Sequence, residues 1–201
     1  MEITSAMVKE LRTKTGAGMM DCKEALTAVD GDFENAIDFL RKKGLSAATK
    51  RSSKAAKDGT VASYIHMGGR IGVMIEINCE TDFVAKTEDF QTMARDLAMH
   101  IAAANPLYVR PDEIPAEILE REKEIYRSQL KEEGKPEKIW DKIIEGKLHK
   151  YYEDVCLIEQ KFIKNTDISV NTLISNMIAK TGENIVIRRF ARFQLGEELK
   201  A

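Results

Sequence analysis

Val61-Ala62-Ser63-Tyr64-Ile65-His66-Met67-Gly68-Gly69-Arg70-Ile71-Gly72-Val73-Met74-Ile75-Glu76-Ile77-Asn78-Cys79 is the stretch that decides the fold. Its side chains alternate with a period of two, as strands require. Val61, Ser63 and Ile65 alternate with Ala62, Tyr64 and His66. Ile71, Val73, Ile75, Ile77 and Cys79 alternate with Gly72, Met74, Glu76 and Asn78. Met67-Gly68-Gly69-Arg70 between the runs supplies turn chemistry, so the stretch is a β-hairpin with one face buried. Glu183 to Leu195 alternates in the same way and reads as a third strand beside the hairpin.

Outward from the hairpin the period changes to that of helices. Phe90, Ala94, Leu97 and Ile101 form one stripe, stopped by Asn105-Pro106. A charged helical region begins near Pro115, with Ile114, Ile118, Ile125 and Gln129 as a thin stripe. Gly134-Lys135-Pro136 breaks it, and Ile139, Ile143 and Ile144 begin another helix. Val170, Leu173, Ile174, Met177 and Ile178 form the last helical stripe, which Gly182 ends. On the N-terminal side three short helices are expected. Thr4 or Ser5 caps the first, which carries Met7, Val8 and Leu11 inward and ends at Gly16. Met19, Cys22, Leu26 and Val29 line the second. Asp32 caps the third, with Phe33, Ala36, Ile37 and Leu40 inward and Gly44 as its stop.

The expectation is an α+β protein: a small three-helix N-terminal domain (1–45), a basic linker (46–58), and a core (59–201) of antiparallel sheet covered by helices, with the charged helical region at about 115–152. The linker is expected because Arg41–Lys57 holds seven basic residues and no acidic one, with Ser and Ala between them. Residues 1–57 carry 11 basic and 8 acidic groups and the remainder 20 and 25, a mild asymmetry within a net charge of −2. That charge does not argue for a dedicated nucleic-acid binder. Over 201 residues, 43% are hydrophobic and only 6% aromatic, so the core is aliphatic, with nine Met as adaptable filler. No stretch reaches the apolar length of a membrane span, and no basic segment followed by an apolar run opens the chain, so a cytoplasmic protein is expected. Three widely separated Cys (Cys22, Cys79, Cys156) read as reduced thiols, with a bridge between two chains left open.

Conventional catalytic chemistry is missing from the pattern. No phosphate-binding loop occurs, and Gly16-x-Gly18 is an interhelical turn lacking the third glycine of a dinucleotide fingerprint. His66, His100 and His149 are scattered without metal-ligand spacing to a Cys, so no metal and no cofactor is expected. His100 falls near an apolar stripe and reads as structural. A binding protein, not an enzyme, is the default.

Two segments carry a resemblance. One is Val8-Lys9-Glu10-Leu11-Arg12-Thr13-Lys14-Thr15-Gly16-Ala17-Gly18-Met19-Met20-Asp21-Cys22-Lys23-Glu24-Ala25-Leu26. The other is Asn78-Cys79-Glu80-Thr81-Asp82-Phe83-Val84-Ala85-Lys86. Together they closely resemble the translation elongation factor Ts family, the nucleotide exchange factors of elongation factor Tu. Lys43-Gly44-Leu45-Ser46-Ala47-Ala48, Leu97-Ala98-Met99-His100-Ile101-Ala102-Ala103 and Arg189-Phe190-Ala191-Arg192-Phe193 are also similar to that family. Longer members carry two related core halves, whereas this sequence holds one hairpin-helix core and resembles a short, single-core form. The resemblance therefore implies a homodimer, in which two chains supply the two-core surface, and edge-strand pairing is a physical route to it. It also makes the N-terminal domain ubiquitin-associated-like.

The resemblance assigns roles to particular residues. Taken alone, Asp82 and Phe83 read as a helix cap and a hydrophobic staple. Under the resemblance, Thr81, Asp82, Phe83 and Val84 form the motif that dislodges the partner's magnesium ion, with Phe83 wedging into the G domain and Asp82 meeting polar groups nearby. Arg12, Met19, Met20 and Lys23 match positions of the N-terminal domain that touch the G domain. Adjacent helical positions diverge by about 100°, so Met19 and Met20 cannot both face the bundle core. His66 resembles a residue of the second core half that meets the partner, against a plain reading as a solvated turn residue.

Magnitudes require more than the wedge. A thousandfold loosening of nucleotide needs about 4 kcal/mol of coupling, whereas burying one Phe contributes about 1.5–3 kcal/mol. The implied function is guanine nucleotide exchange on elongation factor Tu, bound both with GDP and without nucleotide. Two alternatives stand beside it. One is an RNA- or ribosome-binding accessory protein using Lys50, Arg51, Lys54 and Lys57; the other is an adaptor whose three-helix domain takes peptide or ubiquitin-like partners.

Overall fold

The computed structural model describes residues 2–198. Three helices come first: α1 (Ser5–Thr15), α2 (Met19–Ala28) and α3 (Phe33–Arg51). Thr4 caps α1, its hydroxyl accepting from the Met7 amide at 3.3 Å, and Asp32 caps α3 by accepting from the Asn35 amide at 3.0 Å. Gly16 closes α1 in the left-handed region at φ 69°. Val8, Leu11, Cys22, Ala25, Leu26, Ala36 and Leu40 form the buried core of this bundle.

Two expectations for the bundle are corrected. Gly44 does not stop the third helix. It is a buried interior residue, and α3 carries the first part of the expected basic linker into helix as far as Arg51. A Cβ on it would meet Asn176 Oδ1 at 3.4 Å and the Ser175 carbonyl oxygen at 3.7 Å, ordinary contact distances that leave room for a methyl group but not for a long side chain. Met19 leaves the stripe expected for it and is exposed. It is the first residue of α2, and helical side chains lean toward the N-terminus, so its side chain overhangs the end of the bundle.

β1 (Asp58–Ile65) and β2 (Ile71–Cys79) form the expected hairpin, followed by α4 (Asp82–Ala85) and α5 (Glu88–Ala104). The turn closes with His66 N–H donating to Ile71 O and Gly69 N–H donating to His66 O, both at 2.9 Å. Val73, Ile75, Ile77 and Cys79 are buried, as the alternation predicts, while in β1 the buried side chain is Ala62. Gly59, at φ 143°, runs so close to β2 that a Cβ would lie 2.7 Å from Asn78 Cα, so only glycine fits. Phe90, Ala94, Leu97 and Ile101 on α5 are all fully buried.

α6 (Ala116–Glu132) and α7 (Trp140–Val155) are the charged helical region. Their shared core is Leu130, Ile144 and Leu148, flanked by Leu119, Tyr126, Trp140, Ile143 and Tyr152. The stripe through Ile118 and Ile125 is therefore a correction: both are exposed. The helix turns its Leu119–Tyr126–Leu130 face inward, where three large apolar side chains meet the Ile144–Leu148 face of α7, against two isoleucines on the other side. β3 (Lys161–Phe162) and β4 (Asn165–Ser169) make a small antiparallel hairpin that alternation over so few residues did not announce. α8 (Val170–Thr181) and β5 (Val186–Gln194) complete the chain. The main sheet is antiparallel with order β1-β2-β5, so the third strand does pair with the hairpin, and the fold is α+β as expected.

By contacts the chain forms two compact units. One comprises Met1–Ala62, Ile75–Asp96 and Asn171–Arg188; the other comprises Ser63–Met74, Leu97–Val170 and Arg189–Ala201. In the second, His100 is fully buried and structural. Its Nδ1 accepts from the Ile163 amide at 3.3 Å, which leaves the proton on Nε2 for Gln160 Oε1 at 3.0 Å. Gln160 in turn donates to the Asp154 carbonyl at 2.9 Å. All three Cys are free and buried. No helix among the described residues is long and apolar enough to cross a membrane.

Candidate functional site

The loop leaving β2 is built from its backbone outward. Strand pairing ends at Cys79, and the chain must begin a helix within three residues. Thr81 does this. It is the N-cap of α4, its Oγ1 accepting from the Val84 amide at 3.4 Å. The expectation that Asp82 is the cap is corrected: Asp82 is the first residue of the helix, where its negative charge suits the exposed N–H groups. Its carboxylate takes a 2.6 Å ion pair with Lys86 one turn on, which holds it below the ordinary carboxylate range.

α4 has an inside and an outside. Val84 and Ala85 are buried, whereas Asp82 and Phe83 project outward. Phe83 is 77% exposed, so it is not a staple. The helix is re-anchored at its far end by Thr87, whose hydroxyl donates to Val84 O at 2.8 Å, and by Gln91, which donates to Ala85 O at 2.7 Å. Thr81, Asp82 and Phe83 thus form one exposed rim, in which an aromatic ring stands in solvent on a fixed backbone, while Val84 faces inward beneath it.

A second carboxylate, which the sequence reading missed, organises this rim. Glu183 Oε2 accepts from the Glu80 and Thr81 amides at 3.1 Å each, and its Oε1 accepts from Thr81 Oγ1 at 2.6 Å. Glu80 replies, its Oε1 accepting from the Asn184 amide at 2.7 Å. Cys79 Sγ donates to Thr81 O at 3.1 Å, which requires a protonated thiol. Burial, reinforced by the Glu183 charge, keeps it so by pushing the thiol up to about 11. The available signal was Gly182-Glu183-Asn184, directly after the last helical stripe, but nothing in its spacing points to a loop a hundred residues away.

The candidates in the N-terminal bundle gather elsewhere in the same unit. Arg12 lies in the last turn of α1; Met19, Met20 and Lys23 lie in the first turns of α2. All four are exposed around the Thr15–Gly18 turn. Met19 is 58% exposed and Met20 75%, so both methionines, not one, face solvent. Two flexible thioethers between two cations make an adaptable apolar surface. His66 belongs to the other unit, at the hairpin turn, where its Nδ1 is 3.1 Å from the Tyr64 hydroxyl and its ring is exposed. Among the described residues no group of His, Cys, Asp and Glu could hold a metal ion.

Comparison with known proteins places this α+β chain among the translation elongation factors. The family model described as Elongation factor TS matches residues 6–197. The chain is similar to the Elongation factor Ts of Syntrophus aciditrophicus (strain SB), 81% identical over 200 residues that cover 100% of both chains. It is similar to that of Geotalea uraniireducens (strain Rf4), 60% identical over 99% of this chain and 92% of the relative. It is likewise similar to that of Heliobacterium modesticaldum (strain ATCC 51547 / Ice1), 59% identical over 98% of this chain and 92% of the relative. The chain belongs to the elongation factor Ts family.

Proposed function

We propose that the protein is a guanine nucleotide exchange factor for elongation factor Tu, making and breaking no covalent bond. It binds the GDP-loaded partner, dislodges the magnesium ion, and releases GDP so that GTP enters. By reciprocity, rebinding of nucleotide expels the factor. The observation that carries this reading is the exposure of Phe83 on a backbone fixed at both ends of α4. An apolar ring of this size left in solvent gains about 1.5–3 kcal/mol when another surface buries it, and the backbone that carries it is already held. Arg12, Met19, Met20 and Lys23 supply the separate anchor that the energy requires, within the N-terminal domain of residues 1–45. Asp82 meets polar groups of the partner, and His66 is a further contact.

The protein works in the cytoplasm as a homodimer. Ile65, Met67, Met74, Phe193 and Leu195 are all exposed in the unit that holds the hairpin turn and the end of β5, and such clustering of large apolar side chains favours a second copy.

Of the four cations the RNA-binding alternative would use, Arg51 is drawn to Glu80, 3.7 Å away. Release of a fluorescent GDP from elongation factor Tu, followed by stopped flow with and without the protein, tests the exchange reading. Acceleration at substoichiometric protein is expected. An unchanged release rate overturns it.

A further inference from the structure

Phe83 makes its case by exposure, and exposure raises a question: what holds it still? The ring contributes little to its own placement, because it stands outside the core. α4 has four residues, far below the length at which a helix persists alone. The position of Phe83 is therefore inherited from the residues that start the helix, Glu80 and Thr81. Their backbone amides have left the sheet and have no helical acceptor.

We propose that Glu183 is a positioning residue for Phe83, and that with Glu80 it forms a reciprocal clamp locking the aromatic rim to the end of α3. This rests on the exchange reading above. One carboxylate takes all the donors that the loop start offers: the Glu80 and Thr81 amides at 3.1 Å and the Thr81 hydroxyl at 2.6 Å. With its proton committed to Glu183, Thr81 Oγ1 turns a lone pair to the Val84 amide, so the carboxylate orients the cap as well as the loop. The next residue works in the opposite direction. The Asn184 amide donates to Glu80 at 2.7 Å, and its side chain donates to Lys54 O at 2.7 Å, just past α3. Arg51, the last residue of α3, lies 3.7 Å from the same Glu80 oxygen. The α8–β5 turn thus joins the wedge-bearing loop to the helix that leads out of the N-terminal bundle. A backbone delivered this way leaves only the ring's own rotamer freedom to be lost at the moment of binding.

The test measures GDP release from the loaded partner using the full chain with Glu183→Ala, Glu183→Gln or Phe83→Ala, each at limiting and saturating concentration. Glu183→Ala is expected to lower the saturated rate about tenfold, the scale of a misplaced positioning contact. The half-saturating concentration should move less than about threefold, because the bundle contact is intact. Glu183→Gln, whose amide oxygen still accepts, should recover part of the loss. Amide hydrogen exchange at Glu80 and Thr81 should quicken in Glu183→Ala while the thermal midpoint stays near that of the unaltered protein. A full saturated rate in Glu183→Ala, alongside a slow Phe83→Ala, overturns this inference and leaves the exchange reading standing. A loss that merely tracks the unfolded fraction, with Gln no better than Ala, also overturns it. If the unaltered chain fails to accelerate release, or Phe83→Ala matches it, the exchange reading falls and takes the inference with it.

Discussion

Gly44 in α3 faces Asn176 in α8 across a gap that admits a methyl group and little more: a Cβ at Gly44 would sit 3.4 Å from Asn176 Oδ1. Two effects oppose each other there. A glycine inside a helix costs about 1 kcal/mol relative to alanine, and Gly44 is seven residues short of the helix end at Arg51. A Cβ at ordinary contact distance leaves that gain intact. Gly44→Ala should therefore hold or raise the thermal midpoint. Gly44→Leu should lower it, since overpacking costs about 1–3 kcal/mol. Thermal unfolding of the two variants checks the change of sign.

The exposed ring predicts a split between binding and exchange. Phe83→Ala removes about 1.5–3 kcal/mol of contact, or about ten- to a hundredfold in the accelerated GDP release rate. It should keep much of the affinity carried by Arg12, Met19, Met20 and Lys23. Calorimetric titration of nucleotide-free elongation factor Tu, run beside the release assay, reads the two separately. An equal loss in both would place the anchor and the wedge in one contact.

The proposed homodimer predicts sensitivity to charge on the exposed apolar residues near the hairpin turn. Phe193 and Met74 are both exposed. A carboxylate buried without a partner is strongly unfavourable, so Phe193→Glu or Met74→Glu should shift the protein to monomer in sedimentation velocity with the far-UV spectrum unchanged. A dimer that survives both substitutions uses another face.

Long periodic segments were legible in the sequence. Phe90, Ala94, Leu97 and Ile101 repeat at helical spacing and are all fully buried, and the Val73–Ile75–Ile77 alternation marks the buried face of β2. Caps were legible where side-chain chemistry is local, as at Thr4 and Asp32. Failures came where a partner distant in sequence decides. Gly44 reads as a stop although α3 runs on past it, packed against Asn176, and Glu183 reads as a loop residue until Thr81 explains it. Ile118 and Ile125 mislead because a thin stripe on a charged helix leaves two faces nearly equal, and the choice falls to the Leu130–Ile144–Leu148 core. Within the rim, motif resemblance pointed to Phe83, but only coordinates distinguish a staple from a ring in solvent.

The thiols should be silent in the folded protein. Cys22, Cys79 and Cys156 are all buried, and burial raises each above its ordinary value, Cys79 and Cys156 to about 11. The thiolate is the reactive form, so a thiol-disulfide reagent at pH 8 should label none of the three until denaturant opens the fold. Rapid labelling of Cys79 in native buffer would mean that the Sγ to Thr81 O hydrogen bond, and the loop it braces, opens on the timescale of the reagent.

His100 predicts an acid-side loss of stability. Burial holds its imidazole below the ordinary value of about 6.5, with the Gln160 hydrogen bond opposing only in part. The neutral ring fits its site at both nitrogens, because Nδ1 accepts from the Ile163 amide and Nε2 donates to Gln160; a protonated Nδ1 would turn one acceptor into a clash of donors. Above about pH 6.5 neither the folded nor the unfolded chain binds the proton, and the group contributes no slope. As pH falls through that value the unfolded chain takes up the proton first, so stability drops until the depressed folded value is reached, and then levels off. Denaturant midpoints between pH 7.5 and 5 should fall for the unaltered protein. His100→Gln should start lower, having lost the ring's packing, and fall less steeply over the same interval. Parallel slopes would assign the acid sensitivity to the carboxylates instead.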